Sequence, residues 1–287
     1  MTSPENNPSP ASGSALEGSQ TLHHDDFIFF RQYIDDISGI SIPEDKQQMM
    51  EIRLNKRLRA LNLPTFYDYR RYLLNDSSGC ENTALINVIT TNKTDFFREI
   101  YHFEYLKQHF SLHPRHEPIF IWSAACASGE EAYSLAMICE EVSKQHLAFQ
   151  YRILGTDIDT ERLNMCESAQ YEIEHDPKIP RHYYQQYFNQ QGDDSSRASI
   201  ASNLKRNIKF RHYNLTQPKT DVGIKFDVIL LRNVLYYFSK PTAESVVSRL
   251  LSNLKPGGLL IIGLTETLFH MDLDLTPIGH SIYQKPQ

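Results

Sequence analysis

Two adjacent carboxylates, Glu130 and Glu131, follow a run of small residues, Ser123-Ala-Ala-Cys-Ala-Ser-Gly129. Small residues let a backbone turn sharply and let a ligand approach it closely. A helix beginning at Glu130 would put both carboxylates in its first turn. A helix N-terminus favours anions, and dinucleotide sites place a pyrophosphate there. Here that place already carries negative charge, so a pyrophosphate would be repelled and a cationic ligand would not. The run also lacks G-x-G-x-x-G, because only Gly129 is a glycine. S-adenosylmethionine carries a sulfonium and an ammonium and no phosphate, so it suits this corner better. The plainer alternative is a pair of solvated glutamates that complement the helix dipole. Farther on, Asp157 stands where a ribose hydroxyl pair is held in nucleotide-binding folds, and Arg232-Asn233 follows an apolar run.

These groups need a scaffold, and the pattern supplies one. Residues 119–122 are apolar and suit a buried parallel strand. From Glu130 the apolar residues Leu135, Ile138 and Val142 recur at helical spacing. A second strand ends at Asp157, and residues 207–212 alternate as a third that leads into Asn214-Leu215. Residues 226–231 read as a fully buried fourth strand ending at Arg232, and Ser239 caps a helix after it. Lys255-Pro-Gly-Gly258 breaks that helix, residues 259–263 form a fifth strand, and residues 281–284 close the sheet. The fold class expected is α/β, a doubly wound Rossmann-like domain, with polar groups collected beyond the strands' C-terminal ends. Residues 171–206 are the least regular stretch and read as an insertion.

Upstream the pattern is helical. Residues 1–22 are rich in Ser, Pro, Asn and Gly and read as a disordered tail. Asp25 or Asp26 caps a first helix, and further helices cover about 43–61, 66–74 and 81–89, so residues 23–100 form a small all-helical domain before 101–287. Arg53, Lys56, Arg57 and Arg59 lie across from the Met50, Leu54, Leu58 and Leu61 stripe. From Pro43 to Leu74 there are seven Lys/Arg against four Asp/Glu. That local excess of positive charge suits docking of an acidic partner, although a solvated face would look the same. Between the domains, Thr90-Thr-Asn-Lys-Thr-Asp-Phe-Phe-Arg-Glu99 is dense in hydrogen-bonding groups. Thr94 or Asp95 could cap a helix there, and a linker closing over the site would set Asn92, Thr94 and Arg98 against the ligand.

Bulk properties narrow the classes. A net charge of −6 over 287 residues gives no global case for nucleic-acid binding. There is no basic n-region followed by an apolar h-region, and no apolar run approaches a membrane span, so a cytoplasmic chain with no membrane insertion is expected. Cys80, Cys126, Cys139 and Cys166 show no C-x-x-C spacing and read as free thiols, and the histidines show no metal-ligand spacing.

Five blocks carry a resemblance. They are Thr91-x-x-Thr94-x-Phe96-Phe-Arg-Glu99, Trp122-Ser-Ala-Ala-Cys-Ala-Ser-Gly-Glu-Glu131, Gly155-Thr-Asp-Ile-Asp159, Phe226-Asp-Val-Ile-Leu-Leu-Arg-Asn233 with Tyr237, and Leu254-Lys-Pro-Gly-Gly258. In this order they resemble the chemotaxis receptor methyltransferases of the CheR type. The resemblance implies a helical domain joined to a class I methyltransferase domain that uses S-adenosylmethionine and releases S-adenosylhomocysteine. It implies methyl esterification of glutamates on the cytoplasmic helices of chemoreceptors; a monomer is expected. Carried over by position, Asn92, Thr94, Arg98, Glu131, Asp157, Asn214, Leu215, Arg232 and Asn233 would hold the cofactor, with Arg98 and Tyr237 nearest the reacting methyl. Ala132 replaces the family's usual proline, and Leu264-Thr-Glu266 replaces a His-containing turn. Residues 171–206 fall where the family carries a small β-subdomain, sometimes used to grip a receptor tail, and they match its pattern poorly.

The chemistry implied is spare. A glutamate carboxylate is ionised near neutral pH, so no general base is required. Competing readings are transfer to another acceptor, a module that senses S-adenosylmethionine without turnover, and an NAD-dependent oxidoreductase, which the missing glycine pattern disfavours.

Overall fold

The computed structural model describes residues 20–112, 117–173, 177–191, 194–217 and 222–287. The chain forms two compact units, one from the residues up to Arg31 with Pro43–Ile89 and one from Gln32–Ile42 with Thr90–Gln287. Residues 1–19 of the expected tail lie outside the described residues.

The first unit is helical. Helix α1 spans His24–Ser38, with Asp25 and Asp26 in its first turn rather than at the cap. The helix expected from Pro43 is a 3-10 turn, Glu44–Lys46, followed by α2, Gln47–Leu61, with Lys46 out of helical geometry between them. Helix α3 is Phe66–Asn75, capped by Thr65, whose hydroxyl accepts from the Asp68 amide. Helix α4 is Cys80–Ile89. Phe27, Phe30, Met50, Leu54, Leu58, Phe66 and Tyr69 are buried, and Phe30 stacks on Tyr69 at 5.5 Å. Residues 20–22 are ordered: Gln20 exchanges hydrogen bonds with Asn55, and the Leu22 amide donates to Glu51.

The second unit is built on a seven-stranded sheet. After α5, Tyr101–Leu112, come β1, Ile119–Ser123, α6, Glu130–Gln145, β2, Tyr151–Asp157, and α7, Thr160–Ser168. The stretch expected to be irregular holds β3, Gln170–Glu172, α8, Arg181–Tyr187, β4, Phe188–Gln191, β5, Asp194–Ile200, and α9, Ser202–Lys205. There β3, β5 and β4 form a separate three-stranded antiparallel sheet. The chain returns through β6, Ile208–His212, β7, Phe226–Leu231, α10, Lys240–Asn253, β8, Leu254–Ile262, β9, Thr276–Gly279, and β10, Ile282–Gln284. The sheet order is β6-β2-β1-β7-β8-β10-β9. Strands β6 to β8 are parallel, and β10 runs antiparallel to both neighbours.

Alternation along the strands produces the layers. Ile121, Val228, Leu230 and Ile261 pack into one core with α6, while Trp122, Ile229, Leu231 and Ile262 pack into the other with α10. The sheet is therefore covered on both sides, which is why its central strands are almost wholly apolar. Strand β1 has β2 on one side and β7 on the other, so the chain changes direction at β1. Crevices for ligands open at such a switch point, beyond the strands' C-terminal ends. The Gln32–Ile42 segment belongs to this unit: the Asn214 amide donates to the Ile37 carbonyl at 2.8 Å, and Ser41 donates to the Tyr237 carbonyl at 2.7 Å.

The basic residues of α2 differ in what they do. Arg57 grips Glu81 bidentately at 2.9 and 2.8 Å, and Tyr69 donates to the same carboxylate at 2.7 Å. Glu81 is buried, so Arg57 is an internal counter-ion rather than a free docking charge. Arg53 donates to the Ile89 carbonyl, while Lys56 and Arg59 are exposed. Breaking a buried pair strands its partner's charge, typically at about 3–5 kcal/mol. Glu81→Ala should therefore destabilise the helical unit by about 3 kcal/mol. Lys56→Ala should stay within about 0.5 kcal/mol of the parent. Urea unfolding followed by helical ellipticity separates the two, and a parent-like Glu81→Ala would mean that the pair is dispensable.

Candidate functional site

Three consecutive features build the floor of the crevice. Strand β1 ends at Ser123, the small-residue loop turns with Ala127 at φ 48° and Gly129 at φ 99°, and α6 starts at Glu130. Gly129 has no alternative there. A Cβ would lie 2.9 Å from the Tyr171 hydroxyl, which donates to the Ser128 carbonyl at 2.7 Å. The glycine thus lets the loop pack closely against the buried Tyr171 and Cys166 side chains.

Asp157, at the end of β2, accepts the Ala127 amide at 2.8 Å and the Asp159 amide at 2.9 Å. It holds the strained loop residue in place. Burial raises its carboxyl above the ordinary range, against the two amides that favour the anion. Each oxygen keeps a lone pair, so a ribose hydroxyl pair can still be received. Next along, Asp159 caps α7 through the Glu161 and Arg162 amides and accepts from Thr90 at 2.7 Å and Asn92 at 2.5 Å with its other oxygen.

The expected cation is not free. Arg232, at the end of β7, has a side chain only 2% exposed and lies between two carboxylates. It donates to Glu131 at 2.7 Å, to Glu99 at 3.0 Å and to the Arg98 carbonyl. Glu131 also accepts from Ser123 at 2.6 Å. It is therefore an internal group of the crevice wall and not a solvated helix-start residue. Glu99 further receives the Asn233 side chain at 3.2 Å and the Leu264 amide at 3.1 Å. Burial alone would raise the Glu99 carboxyl, but Arg232, Asn233 and Leu264 together hold it below its ordinary value. One guanidinium against two carboxylates leaves the wall net negative, which suits a cationic ligand.

The linker meets this wall. No helix starts at Thr94 or Asp95; α5 begins at Tyr101. The reason is local: Phe97 and Glu99 take positive φ, the Phe97 amide donates to Ser134 at 3.0 Å, and Arg232 takes the Arg98 carbonyl. Phe96 and Phe97 are buried in the core. Arg98 donates to the Lys93 carbonyl at 2.8 Å, and the Tyr237 hydroxyl donates to the Thr91 carbonyl at 3.2 Å. Asn92 and Asp157 thus meet at Asp159, while Arg98, Glu131, Arg232 and Asn233 meet through Arg232 and Glu99, and Tyr237 reaches the same linker at Thr91. Thr94 sits half-buried on the same linker. Asn214 is turned toward Ile37 and Thr216, and the Leu215 carbonyl receives Arg249.

Four groups that sequence reasoning passed over complete the site: Ser123, Glu99, Asp159 and Glu266. Glu266 accepts the amides of Asn233, Val234, Leu235 and Gly263 at 2.7–2.8 Å. It thereby holds Asn233, at φ 57°, in its turn. Among the described residues no group of three or more His, Cys, Asp or Glu could hold a metal ion.

This geometry can be set beside known proteins. The all-alpha domain of CheR methyltransferases matches residues 25–90, and their SAM binding domain matches residues 92–283. The chain belongs to the CheR methyltransferase family. It is 32% identical over 284 residues to chemotaxis protein methyltransferase 2 of Pseudomonas aeruginosa, covering 98% of this chain and 99% of that one. It is 33% identical to the chemotaxis protein methyltransferase of Salmonella typhimurium, covering 96% of each. To that of Escherichia coli it is also 33% identical, over 93% of this chain and 94% of the relative. The CheR domain is an S-adenosylmethionine-dependent methyltransferase, and the crevice fits that cofactor. Its loop is small-residue, and a carboxylate, not a phosphate cradle, stands at the α6 N-terminus.

The same wall makes this CheR domain acid-sensitive. His102 is fully buried, with Nε2 3.2 Å from the His280 carbonyl and Nδ1 3.6 Å from Glu99. Burial and then the Arg232 charge push its pKa down to about 4, against the opposing pulls of the His280 carbonyl and Glu99. In the unfolded chain it titrates near 6.5. The unfolded state therefore binds the extra proton first, and stability falls as pH drops from about 6.5 to about 4. The loss attached to this group is about 3 kcal/mol. His102→Leu should flatten that part of the pH profile of the urea midpoint. An unchanged slope would show that His102 is not the titrating group.

Proposed function

We propose that this CheR-family chain transfers the methyl group of S-adenosylmethionine to glutamate side chains on the cytoplasmic helices of chemoreceptors, giving methyl esters. The observation that carries the reading is the near full-length match to relatives named chemotaxis protein methyltransferase. The site chemistry supports it. The cofactor supplies a methyl on a sulfonium, an activated leaving group. The acceptor carboxylate is already an anion, so the protein must position and dehydrate, not deprotonate. Attack joins an anion to a cationic centre, and the charge disappears as the bond forms. A buried, dehydrated wall favours that change over a wet one.

In this reading Arg98 and Tyr237 meet the acceptor. A guanidinium has five N–H donors, so Arg98 can keep the Lys93 carbonyl and still orient a carboxylate. A phenol has one O–H. Tyr237 can serve the acceptor only by releasing Thr91. Asn92, Thr94, Glu131, Asp157, Asn214, Leu215, Arg232 and Asn233 are the cofactor-side residues, Asp157 through the ribose. The acceptor helix carries glutamates, and the exposed Lys56 and Arg59 offer it complementary charge. The reading is of a chain that meets receptors from the cytoplasm and acts as a monomer; separately, no described helix is long and apolar enough to cross a membrane.

Labelled S-adenosylmethionine incubated with receptor-containing membranes should leave label on the receptor that base releases as methanol. Base-stable label would place the methyl on another acceptor atom. Lys56→Glu with Arg59→Glu should raise KM for receptor severalfold at low salt and leave cofactor affinity unchanged. The effect should fade as salt rises, because exposed charges are screened over about 8 Å at physiological ionic strength. Equal KM at low salt would remove these residues from docking.

A further inference from the structure

The segment Thr90-Thr91-Asn92 is tied at both flanks of the crevice. On the β2 side, Asp159 accepts from the Thr90 hydroxyl at 2.7 Å and from the Asn92 amide at 2.5 Å. The Asn92 amide also donates to Thr90 at 3.0 Å, so the three groups close a ring. On the β7 side, Tyr237 holds the Thr91 carbonyl. Strand β1 lies between β2 and β7 in the sheet. The segment is therefore held from the β2 side and from the β7 side, with β1 between them in the sheet. Beyond it, Phe96 and Phe97 are anchored in the core and the Arg98 carbonyl is fixed by Arg232.

Asp159 is the stronger pin. It is 2% exposed, and one carboxylate does two separate jobs. Its Oδ1 caps α7 by accepting the Glu161 and Arg162 amides at 2.9 and 3.1 Å, and its Oδ2 faces the strap alone. Hydrogen bonds to a charged acceptor are the strong kind. The Tyr237 pin is a single neutral bond at 3.2 Å on a half-buried side chain, and it is the weaker of the two.

We propose that Asp159 is a positioning residue that holds the Thr90–Asn92 strap closed over the cofactor, so that opening of this strap sets the rate at which S-adenosylmethionine enters and S-adenosylhomocysteine leaves. The inference rests on the reading of this crevice as the cofactor site. It orders the two ends of the strap: the Tyr237 side yields to the acceptor carboxylate, while the Asp159 side stays shut and keeps the cofactor in place during transfer.

The test separates the strap arm of Asp159 from its cap arm. Asp159→Ser keeps an N-cap oxygen for α7 but has no second oxygen for the strap. Thr90→Val removes the hydroxyl that donates to Asp159 and accepts from the Asn92 amide, at nearly constant shape, and leaves the cap untouched. Full-length protein is loaded with tritiated S-adenosylmethionine, chased with unlabelled S-adenosylhomocysteine and filtered at timed intervals; association is timed by the same filtration. Both variants should release label about tenfold faster, the ratio expected for one charge-assisted bond. Association should accelerate by a similar factor, leaving Kd within about threefold, because a gate speeds both directions. A release rate equal to the parent's in Thr90→Val would overturn the proposal. So would faster release with unchanged association, the signature of a lost contact without a gate. If Asp159→Ser does not fold, Thr90→Val decides alone. Failure of the parent to retain any label would instead overturn the cofactor reading beneath it.

Discussion

Everything in the crevice depends on the burial of one guanidinium between two carboxylates. Arg232 carries a permanent charge into a wall that excludes water, which is tolerable only with its partners in place. Those partners are not local. Glu131 lies in the first turn of α6, Glu99 comes from the linker, and the Arg98 carbonyl lies beside it. The need to satisfy Arg232 therefore draws the linker onto the sheet and fixes the first turn of α6. It also holds Phe97 and Glu99 at positive φ, a conformation that non-glycine residues adopt only when their surroundings impose it.

A second carboxylate, Glu266, organises the neighbouring turn in the same manner, by collecting four backbone amides. Burial raises its carboxyl, and the amides oppose that shift. Asp157 and Asp159 do the corresponding work at the end of β2. The site is thus a row of buried acids at the strand ends, each spending part of its capacity on backbone. What remains for a ligand is a set of fixed oxygens and a negative field. Preorganisation of this kind holds a cationic cofactor in one position, and a transfer that needs no base then depends on alignment.

Much of this was legible in the sequence, and the reason is geometric. In a doubly wound sheet the functional groups sit just after strand ends, so strand and ligand group are contiguous in the chain: Ser123 to Glu131, Asp157, and Arg232-Asn233. What was not legible is what pairs with what. Glu99 and Arg232 are 133 positions apart, and nothing in either neighbourhood announces the other. Arg57 read as a surface cation because α2 shows only its own stripe; Glu81 arrives from α4. The capping pattern at Thr94 and Asp95 was real, but tertiary bonds overrode it. The stretch around 171–206 hid its antiparallel sheet because short strands rich in Gln, Ser and Asp carry little apolar alternation. The attachment of Gln32–Ile42 to the second unit rests on backbone bonds, which no side-chain pattern reveals.

The central claim is that the Arg232 clamp shapes the cofactor crevice. It is tested most directly by calorimetric titration of S-adenosylmethionine into Arg232→Lys. Lysine keeps the charge but is a point donor that cannot reach both carboxylates and the Arg98 carbonyl in one plane. With secondary structure and melting cooperativity retained, affinity should fall at least about tenfold, the equivalent of about 1.4 kcal/mol. Parent-like affinity in Arg232→Lys would contradict the account, because the crevice would then form without the clamp.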